Sequence, residues 1–276
     1  MTEELVHYEA DDTIAVVTMN RPAKLNAINH DLRTGVAEAL LRADEDDTVS
    51  VVILRAEGRS FCVGYDIDTD SPEREARRYD AVKWHRSLKE DLEFEMIPWH
   101  MRKPVIASVQ GHALGGGCEL TMYCDITIAA DNALFGEPEI HFSNVGPGIV
   151  MPWLIGYKKA RELLYLGDMI DAPTALDLGM INRVVPLDGL REKTLNFARR
   201  MALISPEALQ FTKLSINRGA DAAGFGNAMQ AGLDAVTPLY AAKTDVGVEF
   251  NEIRQRDGLR AALKWRRDQF AQFDDR

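Results

Sequence analysis

Residues 109–119 read Val109-Gln110-Gly111-His112-Ala113-Leu114-Gly115-Gly116-Gly117-Cys118-Glu119, and the fold is most clearly indicated by this segment. An apolar run at residues 104–109 is typical of a buried strand, and the apolar residues 120–123 are typical of a helix. Three glycines therefore lie where a strand turns into a helix, and glycine permits close approaches that a side chain would block. Because the first turn of a helix has N–H groups without partners, this junction predicts a place for a partly negative oxygen.

A carboxylate belongs to the same stretch. Glu119 comes three residues after Gly116, and at about 3.6 residues per turn this spacing brings its side chain back to the side of the Gly116 N–H. The alternative is that the glycines serve tight packing and that Glu119 only favours the helix dipole. The stretch has neither G-x-G-x-x-G spacing nor a Gly-Lys-Ser/Thr sequence, so it is not expected to cradle phosphates.

Composition and charge limit the classes of function. The chain has 276 residues, of which 46% are hydrophobic and 27% charged, as in an ordinary globular protein. The net charge of −11 argues against nucleic acid as the main partner, because phosphate binding needs a basic surface. A signal-peptide pattern and an apolar run of about 20 residues are both missing, so we expect no membrane partner. Three cysteines without metal-site spacing (Cys62, Cys118 and Cys124) indicate reduced thiols and a cytoplasmic location.

Short apolar strands alternate with glycine-containing loops and helices in the first part of the chain. Strands are predicted at residues 13–19, 49–56, 104–109, 125–130 and 182–185. This alternation predicts an α/β core with helices on both sheet faces. Residues 69–101 are polar with scattered aromatics and are interpreted as a mobile segment that leads into a helix. Later helices are predicted at residues 190–203, 206–217, 226–240, 245–254 and 259–270. We therefore divide the chain into a core, residues 1–200, and a helical region, residues 201–276.

A second loop of interest follows the predicted strand at residues 49–56. It reads Phe61-Cys62-Val63-Gly64-Tyr65-Asp66, and the N–H of Tyr65 is a candidate for a second backbone donor. Two donors at one carbonyl oxygen form an oxyanion hole, in which each donor contributes roughly 2.7–4 kcal/mol in known cases. Such a hole suits a thioester, whose carbonyl would become an enolate.

Glu139 is the second candidate carboxylate, twenty residues after Glu119. Two carboxylates beside a polarised carbonyl permit general acid–base chemistry on a neighbouring carbon. Taken alone, Glu139 is more simply interpreted as a carboxylate on a surface loop, because the chain has 43 acidic residues.

The combined motifs resemble the crotonase, or enoyl-CoA hydratase/isomerase, superfamily. In chain order they are Asn20-Arg21-Pro22, Leu25-Asn26-Ala27, Phe61-Cys62-Val63-Gly64-Tyr65-Asp66-Ile67, Lys103-Pro104-Val105-Ile106-Ala107, Gly111-His112-Ala113-Leu114-Gly115-Gly116-Gly117-Cys118-Glu119-Leu120, Cys124-Asp125, Phe135-Gly136-Glu137-Pro138-Glu139 and Gly179-Met180-Ile181-Asn182. The resemblance extends over about residues 5–270, and so many motifs in one order are far more specific than any single motif.

The resemblance implies a fold, a substrate and roles for four residues. The fold would be a crotonase-like spiral of β/β/α units followed by a C-terminal helical trimerisation region, in a homotrimer or a dimer of trimers. An acyl-CoA thioester would bind with its oxygen between the N–H groups of Tyr65 and Gly116. Glu139 would exchange the proton at the α-carbon, and Glu119 would position or activate water at the β-carbon. No metal or other cofactor is implied, because CoA is part of the substrate.

Contacts to the CoA ester also carry over from the resemblance. We assign them to seven residues: Lys24, Leu25, Ala27, Val63, Asp66, Ile67 and Gly115. For Lys24 the alternative is a plain surface lysine. Near the C-terminus, Arg266 and Arg267 retain the charge of a segment that reaches a neighbour's CoA in the family, whereas Ala262 stands where an aromatic residue is common.

Two departures from the family pattern bear on specificity. Tyr65 replaces the small residue that is usual in its loop, so its ring has a part in shaping the pocket. Residues 144–152 lack the Gly-Gly pair that follows the second glutamate in many hydratases.

The sequence therefore predicts an enzyme that adds water to a 2-trans-enoyl-CoA and yields a 3-hydroxyacyl-CoA. The presence of both glutamates favours hydration over the isomerase reaction. The alternatives are another reaction of the superfamily, such as double-bond isomerisation or hydrolysis of a CoA thioester or C–C bond, and a non-catalytic subunit that binds CoA esters.

Overall fold

The computed structural model describes residues 4–68, 77, 79–242 and 244–273. In chain order its strands are β1 (Val6–Asp11), β2 (Ile14–Met19), β3 (Val51–Ala56), β4 (Val105–Val109), β5 (His112–Leu114), β6 (Ile126–Ala130), β7 (Leu134–Gly136), β8 (Ile170–Asp171) and β9 (Arg183–Val185). The larger sheet has the order β1-β2-β3-β4-β6-β9, and the smaller has the order β5-β7-β8. In the larger sheet β1 pairs antiparallel with β2, and all other neighbours pair in parallel.

Helices follow most of the strands. They are α1 (His30–Glu45), α2 (Ala81–Glu95), α3 (Ile97–His100), α4 (Gly116–Tyr123), α5 (Met151–Ile155), α6 (Tyr157–Leu166), α7 (Ala172–Asp177), α8 (Leu190–Met201), α9 (Pro206–Ala222), α10 (Phe225–Ala241), α11 (Asp245–Asp257) and α12 (Leu259–Ala271). Within the described ranges, none of these helices is long and apolar enough to cross a bilayer.

The larger sheet is buried on both faces, as its nearly continuous apolar strands predict. Val52 and Leu54 of β3 belong to the main hydrophobic core together with the buried face of α1. Val51 and Ile53 point to the opposite face and pack in a second cluster with residues of α8. Alternate residues of one strand therefore serve two separate layers, which confirms the predicted α/β class.

The smaller sheet forms because each passage of the chain contributes a strand to both sheets. β4 is followed by β5 and then by α4, and β6 is followed by β7 and then by a short 3₁₀ helix, Pro138–Phe142. The loop after β3 joins the same layer through an isolated parallel bridge between Cys62 and Ala113. The result is a repeated β/β/α unit that brings the loop after β3, the start of α4 and the 3₁₀ helix close together.

The C-terminal helices are packed partly on the same core. Phe225, Met229 and Leu233 of α10 are buried in the main hydrophobic cluster. Trp99 stacks on Phe225 with ring centroids 4.3 Å apart, and Trp84 lies 5.0 Å from the ring of Tyr240. The boundary between residues 200 and 201, and the role of the later helices in trimerisation, stay predictions.

The structure adds strands that the sequence pattern did not predict. These are β1, at the edge of the larger sheet, and all three strands of the smaller sheet, which have two or three residues each. The stretch at residues 69–101 contains α2 and α3 from residue 81 onward. Residues 69–76 and 78, which were interpreted as part of a mobile segment, lie outside the described residues.

Candidate active site

The first candidate donor is the N–H of Gly116, the first residue of α4. Gly115 precedes it with φ 53° and ψ −131°, a conformation that glycine adopts readily. The Gly115 N–H donates to the carbonyl of Gly136 at 2.9 Å, which ties the junction to β7. Among the described residues, no acceptor takes the Gly116 N–H. This N–H is therefore available to the oxygen of a ligand.

The loop after β3 runs beside the strand that leads to Gly116. The Cys62 N–H donates to the His112 carbonyl at 3.0 Å, and the Leu114 N–H donates to the Cys62 carbonyl at 2.9 Å. These bonds fix the loop along β5. Because β5 continues directly into α4, the loop is held against the start of that helix.

The other side of this loop contacts the segment before α1. The Ile28 N–H donates to the Gly64 carbonyl at 2.8 Å, and the Asp66 N–H donates to the Ile28 carbonyl at 2.9 Å. Together they form a parallel bridge between Ile28 and Tyr65. In such a bridge the residues on either side of Tyr65 make the bonds, so the Tyr65 N–H points away from Ile28. It faces the side of β5 and α4.

Gly64 allows the loop that carries Tyr65 to approach the start of α4 closely. The φ angle of Gly64 is 85°, which lies in the left-handed region that glycine adopts readily. A Cβ atom added to Gly64 would lie 3.0 Å from the Leu114 carbonyl oxygen and 3.5 Å from the Gly116 nitrogen. The residue before Tyr65 is therefore in close contact with the start of α4. Among the described residues, no acceptor takes the Tyr65 N–H either.

Glu119 is buried without a partner. Its side chain, in the first turn of α4, is only 1% exposed, and neither carboxyl oxygen has a hydrogen-bond partner in the described structure. A Cβ atom added to Gly146 would lie 2.2 Å from Glu119 Oε1. Burial, followed by the neighbouring carboxyls of Glu95, Glu137 and Glu139, raises the pKa of Glu119 well above its usual range.

Glu139 lies close to Gly115, at the same glycine junction. It belongs to the 3₁₀ helix that follows β7, so the smaller sheet sets its position. A Cβ atom added to Gly115 would lie 3.1 Å from each of its carboxyl oxygens. Burial raises the pKa of Glu139 to about 7, and a backbone hydrogen bond opposes this shift. The carboxyl is therefore suited to exchange a proton near neutral pH.

Two further carboxyls join this cluster, and sequence reasoning assigned a role to neither. Glu95 ends α2 and is completely buried, and Glu137 is 5% exposed. Burial is the main cause of a raised pKa in both, and the neighbouring carboxyls raise each pKa further. Glu137 stands in the quoted motif at residues 135–139, whereas Glu95 lies in a polar helix with no sequence signal. Such a cluster shares protons as a unit, so its members do not titrate independently.

The ring of Tyr65 lies across Gly116. A Cβ atom added to Gly116 would lie 2.5 Å from Tyr65 Cε2 and 2.8 Å from Glu95 Oε1. The Tyr65 hydroxyl donates to Glu95 Oε1 at 2.9 Å. The Tyr65 ring, which departs from the family pattern, therefore packs over the start of α4, and its hydroxyl is bound by a buried carboxyl.

The structure brings together the two segments to which CoA contacts were assigned. Lys24, half exposed, pairs with Asp68 at 2.9 Å, and Asp66 pairs with Arg21 at 2.7 Å. Arg21 also donates to the carbonyl of Ala27 at 2.9 Å. Residues 24–27 therefore lie beside residues 63–67. These placements are compatible with the CoA contacts assigned from the resemblance, and all seven of those contacts stay predictions.

Asn26 holds these two segments together, a role that the sequence interpretation did not give it. It is fully buried and has φ 55°, next to Leu25 with φ 52°. Its Oδ1 accepts from the Arg21 N–H at 2.7 Å, and its Nδ2 donates to the carbonyls of Glu57 and Ser60, each at 2.9 Å. The side chain thus fastens the segment before α1 to the loop after β3.

Of the two C-terminal arginines, Arg266 makes contacts away from residues 24–27 and 63–67. The guanidinium of Arg266 donates to the carbonyl of His141 and to Gln269 Oε1, and it lies over the Phe270 ring. Ala262 is completely buried. Within this chain, Arg266 is therefore engaged with the 3₁₀ helix that carries Glu139.

The fold and the site define an α/β protein in which two free backbone donors lie beside buried carboxyls. The sequence profile of the enoyl-CoA hydratase/isomerase family matches residues 9–240. The chain therefore belongs to this family, as its motifs predict.

Individual relatives agree over nearly the whole chain. A crotonyl-CoA hydratase of Syntrophomonas wolfei subsp. wolfei is 33% identical over 278 residues, which cover 98% of this chain and 99% of the relative. A solved enoyl-CoA hydratase/isomerase from Xanthobacter autotrophicus Py2 is 36% identical, with a TM-score of 0.92 over 98% of this chain and 99% of that one. A probable enoyl-CoA hydratase from Mycobacterium thermoresistibile is 34% identical, with a TM-score of 0.78 over 86% of this chain and 96% of that one.

Proposed function

We propose that this protein adds water across the double bond of a 2-trans-enoyl-CoA and releases a 3-hydroxyacyl-CoA. The observation that carries the proposal is the position of two carboxyls, the buried Glu119 and the partly buried Glu139, beside a glycine junction with a free backbone donor. The names of the relatives, which include a crotonyl-CoA hydratase, support the same reaction.

The thioester oxygen would be held by the N–H groups of Tyr65 and Gly116. Both donors are part of the folded backbone, so they need no reorganisation when negative charge develops on that oxygen. The α4 dipole adds partial positive charge at the same end. Polarisation of this carbonyl makes the β-carbon electrophilic, and addition of water at the β-carbon gives an enolate whose α-carbon then takes up a proton.

The two carboxyls would complete the addition. Ionised Glu119 takes a proton from water as the water oxygen bonds to the β-carbon, and neutral Glu139 donates a proton to the α-carbon. The product gains one oxygen and two hydrogens, and one proton passes from Glu119 to Glu139 to restore the starting state. With a pKa of about 7, Glu139 is neutral in about half of the molecules near neutral pH. Because the pKa of Glu119 is raised as well, the reacting form is the fraction in which Glu119 is ionised and Glu139 is neutral. The surrounding carboxyls favour keeping only part of the cluster ionised at one time.

The remaining features of the proposal concern binding and assembly. The CoA part would lie along residues 24–27 and 63–67, where the half-exposed Lys24 would offer a cation to the phosphates. The chain would act in the cytoplasm as a homotrimer or a dimer of trimers, without a metal or other cofactor and without nucleic acid or membrane partners.

Mass spectrometry of a mixed panel of enoyl-CoA esters tests the reaction. We expect wild type to add one water to at least one ester, and Glu119→Gln and Glu139→Gln each to lose this activity by at least about 100-fold. Glu93→Gln is the matched control, because Glu93 is an exposed glutamate on α2 that pairs with Lys89. Released CoA or a shifted double bond, without water addition, would instead assign one of the other reactions of the family. An unchanged panel would favour the binding-subunit alternative.

A further inference from the structure

The pair formed by Tyr65 and Glu95 is not used in the proposed addition of water, although it lies beside the site. Glu95 Oε1 is 2.8 Å from the position of a Cβ atom on Gly116, so the carboxyl lies directly against the start of α4. It is also electrostatically coupled to Glu119. Both observations place Glu95 next to the groups that would act on the acyl group.

One oxygen of Glu95 is satisfied and the other is not. Oε1 accepts the hydrogen bond from the Tyr65 hydroxyl, whereas Oε2 is buried and has no hydrogen-bond partner in the described structure. The side chain is 0% exposed. Buried polar atoms are nearly always hydrogen-bonded, so an unpartnered one at a candidate active site calls for a ligand.

The charges around Glu95 determine what kind of partner fits. On its own helix, Asp91 lies one turn earlier and is held by Arg33 at 2.6 Å. From the other elements Glu119, Glu137 and Glu139 add negative charge. Burial is the main cause that raises the pKa of Glu95 well above its usual range, and the repulsion from these carboxyls raises it further. In the neutral form that this shift favours, Glu95 would accept from Tyr65 through Oε1 and carry its proton on Oε2, which would make Oε2 a hydrogen-bond donor.

We propose that Glu95, positioned by the Tyr65 hydroxyl, binds an oxygen atom on the acyl chain of the substrate. The preferred esters would be enoyl-CoA thioesters whose acyl chain carries a keto or hydroxyl group beyond the reacting carbons. This inference rests on the proposed function, because it names the class of acyl group for the same site. A plain alkyl chain would leave the Oε2 donor buried without an acceptor, and sites built to bind a substrate oxygen reject analogues that lack it.

A purely structural role for the pair would look different. If Glu95 served only to hold the Tyr65 ring, its Oε1 atom would suffice for that role. The Oε2 atom would then be expected to have a hydrogen-bond partner elsewhere in the fold. Every ester would then depend equally on Glu95. The proposal instead requires a dependence that differs between oxygenated and alkyl esters.

Binding of saturated esters separates this inference from the proposed reaction, because saturated chains cannot gain water. Dissociation constants are measured by calorimetry for matched pairs, such as 5-oxohexanoyl-CoA and 6-hydroxyhexanoyl-CoA against hexanoyl-CoA, and a shorter pair, 4-oxopentanoyl-CoA against pentanoyl-CoA. We expect wild type to bind at least one oxygenated ester at least about tenfold more tightly than its alkyl match.

Three variants test the part played by the carboxyl. Glu95→Gln keeps an acceptor for Tyr65 and a donor for the ligand, so the preference should stay within about threefold of wild type. Glu95→Met keeps the length without polar atoms and should remove or reverse the preference. Glu93→Met, an exposed position on the same helix, is the matched control and should leave the preference unchanged. Circular dichroism verifies that each variant is folded.

Each outcome decides between the claims. Equal affinities for all matched pairs in wild type, or a Glu95→Met variant that weakens both members of a pair equally, would overturn the inference even if alkyl enoyl-CoA esters are hydrated. A preference for oxygenated esters without hydration of any enoyl-CoA would support the inference and overturn the proposed reaction. Failure to bind any CoA ester would overturn both.

Discussion

Gly146→Ala is a small substitution with a large expected effect on the proposed reaction. The added Cβ atom would lie 2.2 Å from Oε1 and 2.6 Å from Cδ of Glu119. Heavy atoms that are not bonded reach a favourable contact at about 3.5 Å, so the carboxyl or the loop must move by about 1 Å. A displacement of about 1 Å in a reacting group costs roughly 100-fold in rate.

The assay for this prediction is kcat for hydration of the best enoyl-CoA ester, followed by the loss of the double bond. We expect Gly146→Ala to lower kcat about 100-fold and to leave CoA-ester binding within a few-fold of wild type. Gly219→Ala is the matched control, because a Cβ atom at Gly219 in α9 would meet nothing within 4 Å. That control should retain full activity and gain up to about 1 kcal/mol in stability from the better helix former.

A double variant links the effect to Glu119. If Gly146→Ala acts by displacing this carboxyl, it should cost little further activity in a Glu119→Gln background, because both changes remove the same function. A kcat for Gly146→Ala within twofold of wild type would refute the reasoning. Full additivity of the two losses would show that Gly146 acts through a different group.

Three further predictions concern pH and stability. The pKa of Glu139 is about 7 in the folded protein, compared with 4.5 for an ordinary glutamate. The free energy of unfolding should therefore fall as the pH rises from about 4.5 to about 7. Denaturant titrations should show that Glu139→Gln makes this pH dependence weaker. Asn26→Ala should destabilise the protein by about 3 kcal/mol, because it leaves buried backbone groups without partners; unchanged stability would contradict the anchoring role. Lys213→Met should cost about 3 kcal/mol by leaving Asp125, its partner at 2.7 Å, without a counter-charge, and Asp125→Asn in the same chain should recover part of this loss.

The apolar patterns predicted the larger sheet well because each of its central strands is buried on both faces. The strand predicted at residues 104–109 is β4, and all five residues of β4 are buried. β1 was missed because its sequence, Val-His-Tyr-Glu-Ala-Asp, is half polar, as suits an edge strand with exposed positions. β5, β7 and β8 are too short to show a period, and they exist because tertiary packing aligns them.

For the candidate site, sequence reasoning found residues that occur in ordered motifs and missed those that are brought close only by folding. Glu119 follows three glycines, and Glu139 follows a glycine and a proline. Glu95 lies 24 residues before Glu119 in a polar helix, and nothing local distinguishes it from its exposed neighbour Glu93. Gly146 lies within residues 144–152, the segment that lacks the Gly-Gly pair. Its contact with Glu119 forms only when this loop is folded, so the sequence did not reveal it.

The separate roles of the two carboxyls are the central claim of the mechanism, and isotope exchange tests them most directly. Wild type, Glu119→Gln and Glu139→Gln are incubated in deuterated water, once with an enoyl-CoA ester and once with its saturated counterpart. We expect both variants to lose water addition, whereas only Glu139→Gln should also lose exchange of the α-hydrogen of the saturated ester. Water addition at the wild-type rate in either variant, or α-exchange that needs Glu119 and not Glu139, would contradict this account.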